Sequence, residues 1–252
     1  MKIKLTFLLL FLGGILTAQE LTEPDFISTN KGELKIQPVT HGSLVLEWDG
    51  KTIYVDPYGG ANLYEGLNAP DYILITDIHG DHLNPATLNE VVTSNAKIYV
   101  PQAVYDQMPE DLKSQANVVS NGASRKVDGF TITAVPMYNL PESEDAFHTN
   151  GRGNGYVLGL GGKKIYISGD TEDIPEMRGL KNIDVAFVCM NLPYTMTVDA
   201  AADAVLAFKP KTVYPYHYRG TEGLSDVNKF KSTVNEGNKS IDVKLKNWYP
   251  GN

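Results

Sequence analysis

The sequence predicts a layered α/β domain in which two mixed β-sheets lie between helices, and three observations carry that prediction. The chain has 252 residues of which 42% are apolar, enough for a sizeable core and ordinary for a globular protein. Short β-rich runs alternate with amphipathic stretches along nearly all of it, with no long linker, low-complexity tract or short repeat. The pattern also has a loose two-part rhythm. Hairpins come early in each half and strand–helix alternation follows, a combination that mixed sheets with outer helices satisfy.

In chain order, Leu34 to Val39, Leu44 to Trp48 and Thr52 to Val55 read as strands, the last two joined at Asp49-Gly50, a tight hairpin signal. Tyr72 to Thr76 is an apolar run ending in a polar cluster, and a helix starts near Pro85, where proline suits the first turn. Lys97 to Val100 reads as a strand and Gln102 to Leu112 as a helix. Phe130 to Val135 alternates with period two, the mark of a half-buried strand. Tyr156 to Leu160 and Lys164 to Ser168 form a second hairpin around Gly161-Gly162. Asp184 to Met190 reads as a buried strand, Val198 to Phe208 as a helix and Thr212 to Tyr216 as a strand. A helix at Asp226 to Val234 and a strand at Ile241 to Leu245 finish the chain.

The first residues, MKIKLTFLLLFLGGILTAQE, combine Lys2 and Lys4 with an apolar run from Leu5 to Leu16 and a small, polar exit. That run is shorter than the ~20 residues a spanning helix needs, and the pattern is that of a secretory signal peptide over residues 1–19. A mature domain of residues 20–252, periplasmic or secreted and without a stable membrane anchor, is the expectation. Acidic residues outnumber basic ones by 30 to 22, for a net charge of −8. Loss of both leader lysines leaves 20 basic residues against 30, a charge of −10. That balance argues against nucleic acid as a partner, because such binding needs a positive footprint. The single cysteine, Cys189, excludes an intramolecular disulfide framework. Within DVAFVCM it reads as a small buried hydrophobe, not a nucleophile.

With five histidines, the candidate chemistry is short enough to take one residue at a time. Asp77, His79, Asp81 and His82 stand within six residues, directly after the apolar run DYILI. In an extended segment residues two apart point the same way, so Asp77 and His79 face one point. Gly80 permits a turn after which Asp81 and His82 address a second point. One such residue would suffice to cap the following helix; four point to metal ligation. Asp170, in Ser168-Gly169-Asp170-Thr171, follows the strand KKIYI, where it suits either a turn or a bridge between two cations. His217, in Tyr214-Pro215-Tyr216-His217-Tyr218, sits at another strand exit, and His148 stands in the glycine-rich FHTNGRGNG. GRGNG lacks the lysine and serine spacing of a phosphate loop. His41 precedes the strand SLVLEW, where nothing local separates ligand from bystander.

Taken in order, IYVDP, the DIHGDH cluster, FHTNGRGNGYVL, IYISGDTEDIPEM, the YTM before a helix and KPKTVYPYHY resemble the metallo-β-lactamase fold superfamily. More narrowly, they are similar to its ascorbate-6-phosphate lactonase-like metal-dependent hydrolases. The resemblance runs from about Lys35 to Gly220. It implies a four-layer αββα sandwich with metals at one edge between the sheets. It also implies two divalent ions, zinc first, with manganese or iron and a mononuclear centre as the alternatives. Carried over by position, Asp77, His79 and His148 form one site, Asp81, His82 and His217 the other, and Asp170 bridges them. Asp56 is implied as a supporting residue that orients the metal loop. His41 is implied as supporting or substrate-facing, and Tyr138, Asn139 and Tyr194 fall in segments that line the pocket. Further wall residues are expected from the loops Gly59 to Ala69 and Asn139 to Thr149.

Asp77 departs from the family, whose pattern begins HxHxDH where this chain reads DxHxDH. One carboxylate in place of an imidazole makes the centre one charge less positive, which should raise the pKa of bound water and weaken its hold on anionic substrates. An oxygen-richer site also shifts preference toward manganese or iron. The expected activity is hydrolysis of a small ester, lactone or phosphodiester by a metal-bound hydroxide, with Asp81 accepting or relaying a proton. The alternatives are a diiron-type oxidoreductase and a non-catalytic metal-binding protein on the same fold. The sequence leaves the substrate and the oligomeric state open.

Overall fold

The structure, a computed structural model, describes residues 21–250; the expected signal peptide lies outside them. The first sheet holds seven strands in chain order. These are β1 (Asp25–Thr29), β2 (Gly32–Thr40), β3 (Ser43–Trp48), β4 (Lys51–Val55), β5 (Tyr72–Leu74), β6 (Lys97–Val100) and β7 (Ala116–Val118). β1 to β4 are an antiparallel meander, and β4 to β7 are parallel. The second sheet repeats the plan with β8 (Ser124–Val127), β9 (Phe130–Met137), β10 (Gly153–Leu160) and β11 (Lys163–Ile167) antiparallel. β12 (Val185–Val188) and β13 (Thr212–Pro215) continue it in parallel, past the separate small hairpin of β14 (Arg219–Gly220) and β15 (Gly223–Leu224), to β16 (Asp242–Val243) at the edge. The two-part rhythm of the sequence is thus two sheets of like topology.

Side-chain alternation explains the layers, since successive residues of a strand face opposite sides. Leu44, Leu46, Ile53, Val55 and Leu74 pack inward with Ile132, Tyr156, Leu158 and Ile167 of the second sheet. Val45, Tyr54, Ile73 and Ile98 point the other way, into a separate cluster with Leu88 and Val104. Those last two belong to α1 (Pro85–Val91) and α2 (Gln102–Gln107), which cover the first sheet. α3 (Pro175–Arg178), α4 (Val198–Phe208) and α5 (Val227–Gly237) cover the second through Met177, Ala201, Val205, Phe208, Phe230 and Val234. The helix starts are capped from the sequence. Asn84 accepts from the Thr87 amide, Thr197 from Ala200, and Asp226 from Asn228 and Lys229. The result is the expected αββα sandwich.

Several elements are shorter than expected. The helix expected over Gln102 to Leu112 stops at Gln107, because Met108 precedes Pro109 and is extended (φ −70°, ψ 159°); a residue before proline avoids the helical region. A 3-10 turn, Glu110–Gln115, follows. The strand expected over Ile241 to Leu245 shortens to the two residues of β16. The strands expected to run to Thr76, Ser168, Met190 and Tyr216 each leave the ladder one or two residues early. The released residues become the loops that carry the functional side chains.

Candidate metal centre

The carboxyl ends of parallel strands are where open α/β sheets place ligands, and here those of both sheets meet at one edge. Asp56 follows β4, Asp77 to His82 follow β5, Asp170 follows β11 and His217 follows β13. His148 leads into β10, and His41 occupies the β2–β3 turn. The sheets are tied together at this edge by the Asn154 amide, which donates to the Thr76 carbonyl at 2.9 Å. Glycine makes the approach possible. A Cβ on Gly155 would lie 2.7 Å from the Ser168 carbonyl oxygen, and one on Gly153 2.9 Å from that of Thr76. Gly153 therefore serves the contact between the sheets, and Gly155 the close passage of β10 past the end of β11. Asp56, His41 and His217 adopt the left-handed conformation (φ 43°, 53° and 45°), which non-glycine residues keep only where the surroundings impose it.

Three groups have ligand-capable atoms within 4.8 Å of one another: Asp77, His79 and His148; His82, Asp170 and His217; and His41, Asp81 and His217, the last two sharing His217. Asp170 Oδ2 stands 3.4 Å from both His82 Nε2 and His148 Nε2, and its Oδ1 is 3.2 Å from His217 Nε2. That is the geometry of a bridge between two positions. His79 Nδ1 is 2.9 Å from Asp77 Oδ2, with His148 Nε2 at 3.8 Å from the same oxygen. Asp81 Oδ2 lies 3.4 Å from His217 Nε2 and 3.1 Å from His41 Nε2.

Supporting contacts set which imidazole nitrogen is free. His82 Nδ1 faces Asp56 Oδ2 at 2.8 Å, placing the proton there and leaving the Nε2 lone pair inward. Asp56 is itself fixed by the Thr76 amide (2.8 Å) and hydroxyl (2.6 Å). Asn139 Oδ1 accepts from the His148 amide at 2.7 Å and faces His148 Nδ1 at 3.2 Å, so His148 Nε2 also points inward. Tyr249 holds His41 Nδ1 at 2.9 Å.

The electrostatics call for a cation. Burial alone would raise the pKa of Asp170, but His217, His82 and His148 hold it well below the usual carboxylate range. Asp81 is likewise depressed, with His82, His217 and His41 outweighing its desolvation. For His82 burial lowers the pKa, yet Asp170, Asp56 and Asp81 together drive it well above its ordinary value. Its surroundings thus demand positive charge, which a metal at Nε2 supplies in place of a proton. His148 Nε2 and Asp170 Oδ1 are buried without a hydrogen-bond partner. Buried polar atoms are rarely left so, and both face the position a metal would take. The residues fit the divalent ions that the fold implies.

The arrangement opens onto a cavity of about 260 Å³ lined by His79, Asp81, Phe147, His148, Asp170, Asn191 and Tyr194. Every expected ligand is gathered here, and Asp56, Asn139 and His41 stand directly behind ligands. Tyr194 lines the cavity, edge-on to Phe147 with ring centroids 5.0 Å apart. Tyr138 does not line it. Its ring is in the core and its hydroxyl donates to Glu176, while its backbone carbonyl accepts from the Glu172 amide beside Asp170. The loop at Gly59 to Ala69 is no wall either. Gly60 donates to Thr87 of α1, and Leu63 and Tyr64 join the outer cluster. Cys189 is fully buried with its thiol pushed up to about 12, first by desolvation and then by Asp170.

Phe147 comes from the Asn139 to Thr149 loop expected as a wall, whereas sequence reasoning missed Thr76, Asn191 and, above all, Arg152. Arg152 Nε and NH2 donate to Asp77 Oδ1 and Oδ2 at 3.1 and 2.9 Å. Desolvation would raise the pKa of Asp77, but His79, His82, Arg152 and His148 bring it to about 2. The signal was present: a carboxylate replacing a neutral ligand in a buried site needs a countercharge, and Arg152 is the one cation within FHTNGRGNGYVL. The lower positive charge expected from Asp77 is thereby corrected, because Arg152 returns the charge that Asp77 removes.

Comparison with known proteins agrees with this architecture. The beta-lactamase superfamily domain matches residues 35–217. A UPF0173 metal-dependent hydrolase of Pyrococcus abyssi is 32% identical over 222 residues, covering 84% of this chain and 96% of the relative. Among solved structures, a metal-dependent hydrolase of Parabacteroides distasonis is 38% identical with a TM-score of 0.79, covering 89% of this chain and 98% of that one. Igni18, a metallo hydrolase of Ignicoccus hospitalis, is 25% identical with a TM-score of 0.71, covering 87% and 96%. The chain therefore belongs to the metallo-β-lactamase superfamily and is a metal-dependent hydrolase.

Proposed function

We propose that the enzyme is a two-metal hydrolase of the ascorbate-6-phosphate lactonase-like branch, acting on a small ester, lactone or phosphodiester. Asp170, set 3.4 Å from both His82 and His148, carries the reading, because one carboxylate placed between two histidine sets is what two ions require. Divalent ions held there would supply polarisation of a carbonyl or phosphoryl oxygen and a water whose pKa falls toward about 7. His79, His148 and Asp77 would hold the first ion; His82, His217 and Asp81 would hold the second. Asp81 reaches the cavity, and its Oδ2 is bonded to His41, which is bonded in turn to Tyr249. Protons accepted at Asp81 Oδ2 have an outlet along that chain. Phe147 and Tyr194 offer an apolar wall and Asn191 an amide, which suits a compact organic group better than a highly charged one.

The test is metal analysis of the pure protein together with turnover on a panel of lactones, esters and phosphodiesters. Two metals per chain and activity lost to a chelator and restored by zinc or manganese are expected. A two-metal protein that turns over no member of the panel counts against hydrolysis of these substrates. Iron with oxygen-dependent turnover would favour the oxidoreductase alternative. Export is part of the same reading, supported by the charged start and short apolar run of the sequence. Mass analysis of the mature protein tests it, with retention of the intact leader on a cytoplasmic product as the contrary result.

A further inference from the structure

Asp77 stands where the family pattern places a neutral histidine, and it is completely buried. Both its oxygens accept from the Arg152 fork, at 3.1 and 2.9 Å. A carboxylate offers about four lone-pair positions, so a bidentate arginine leaves one on each oxygen. On Oδ2 the remaining one faces His79 Nδ1 at 2.9 Å and His148 Nε2 at 3.8 Å, the other members of the first metal group. Arg152 precedes Gly153, whose close approach to Thr76 brings the sheets together, and its side chain is only 18% exposed. The pair is neutral overall, as an imidazole is.

We infer that Asp77 and Arg152 act as one unit in place of the missing histidine, with Arg152 a positioning residue that presents Asp77 Oδ2 to the first metal and cancels its charge. The inference rests on the two-metal reading above and deepens it. Two consequences separate it from a merely structural ion pair. The first position must depend on Arg152, although Arg152 touches no metal, while the second, built from His82, Asp170, His217 and Asp81, must not. A histidine at 77 must also remove the need for the arginine.

The experiment measures zinc and manganese content, and affinity by competition with a chromogenic chelator, for the full-length enzyme and variants. These are Arg152→Met, Arg152→Lys, Asp77→His and the double variant Asp77→His/Arg152→Met, each checked for folding by its thermal transition. Wild type should bind two ions. Arg152→Met should hold the second-position ion unchanged and bind the other about 10–100-fold more weakly, the usual effect of losing an outer partner. Arg152→Lys, which keeps the charge but not the fork, should fall between. The double variant should recover tight binding of both ions, whereas Asp77→His alone, with an unpaired arginine behind the site, should not. Unchanged two-ion binding in Arg152→Met, or failure of a folded double variant to recover the first ion, overturns the inference and leaves the two-metal reading intact. A wild-type enzyme that binds one ion overturns both.

Discussion

Asp56→Asn preserves shape and removes one acceptor, so its consequences follow from the hydrogen bonds it must break. Asp56 Oδ1 accepts from the Thr76 amide at 2.8 Å, while Oδ2 accepts from the Thr76 hydroxyl at 2.6 Å and faces His82 Nδ1 at 2.8 Å. All three residues are fully buried, so water cannot substitute. An asparagine has one oxygen for these two sides. If it stays with the Thr76 amide, the new NH2 confronts His82 Nδ1 and drives the proton to Nε2, the atom meant for the metal. If it turns toward His82, the Thr76 amide is left unpaired next to the metal loop, at a cost of about 1–3 kcal/mol. The first outcome should weaken metal binding at the second position about 10–100-fold, or roughly 1.4–2.8 kcal/mol. Zinc competition and thermal unfolding of the metal-free protein read the two outcomes separately. A variant within about twofold of wild-type affinity and with unchanged unfolding would refute the claim that Asp56 sets the His82 proton.

Gly155→Ala should destabilise the fold by more than about 2 kcal/mol, since its Cβ would meet the Ser168 and Ile167 carbonyl oxygens at 2.7 and 3.0 Å and backbone cannot yield as a flexible side chain does; denaturant midpoints check it, and a neutral result would mean that the end of β11 can shift away from β10. Away from the metals, the Asp184 carboxyl is depressed despite partial desolvation by Lys211 at 2.7 Å and by the Lys164 amide at 2.9 Å. A folded pKa below the unfolded value near ~3.9 gives stability that is present above that pH and lost as pH falls through the folded value. Asp184→Asn should therefore be less stable than wild type at pH 7, with the gap closing in urea titrations as pH falls below the unfolded carboxyl value; an undiminished gap at low pH would show a packing effect instead. Cys189 should resist thiol reagents in the native enzyme and react on unfolding, measured by mass shift, because its thiol is fully buried and pushed up to about 12.

How far the molecule was legible in its sequence depended on whether a feature was local. Strands β3 and β4 announced themselves by β-rich runs joined at Asp49-Gly50 and β9 by alternation, so the hairpin matches to within a residue and the α4 helix over Val198–Phe208. Edge strands β1, β7 and β8 went unseen. Their outer residues are exposed, as with Phe26 at 58%, and their stability comes from pairing with a neighbour instead of from a pattern of their own. Asp77, His79, Asp81 and His82 were visible as a cluster because one loop holds them. Asp170, His148 and His217 were ambiguous one at a time and became candidate ligands only through the order of motifs, since the folded edge brings together residues as distant as Asp81 and His217, 136 positions apart.

Arg152 shows the limit most clearly. Its partner lies 75 residues away across the gap between the sheets, and GRGNG draws attention to its glycines first. Counting charge only among the presumed ligands left Asp77 as a deficit in the centre. Counting every charge in contact with them removes the deficit. The physics that should have prompted the search is general: a buried carboxylate without a countercharge is costly enough that a folded protein supplies one. Applied to any chain that trades a neutral metal ligand for an acidic one, it directs attention to the nearest buried cation before any conclusion about metal preference or water acidity. Here that cation offsets the charge of Asp77, so the chain's most conspicuous departure from the family pattern changes the residue type at that position while leaving the local charge as a neutral histidine would.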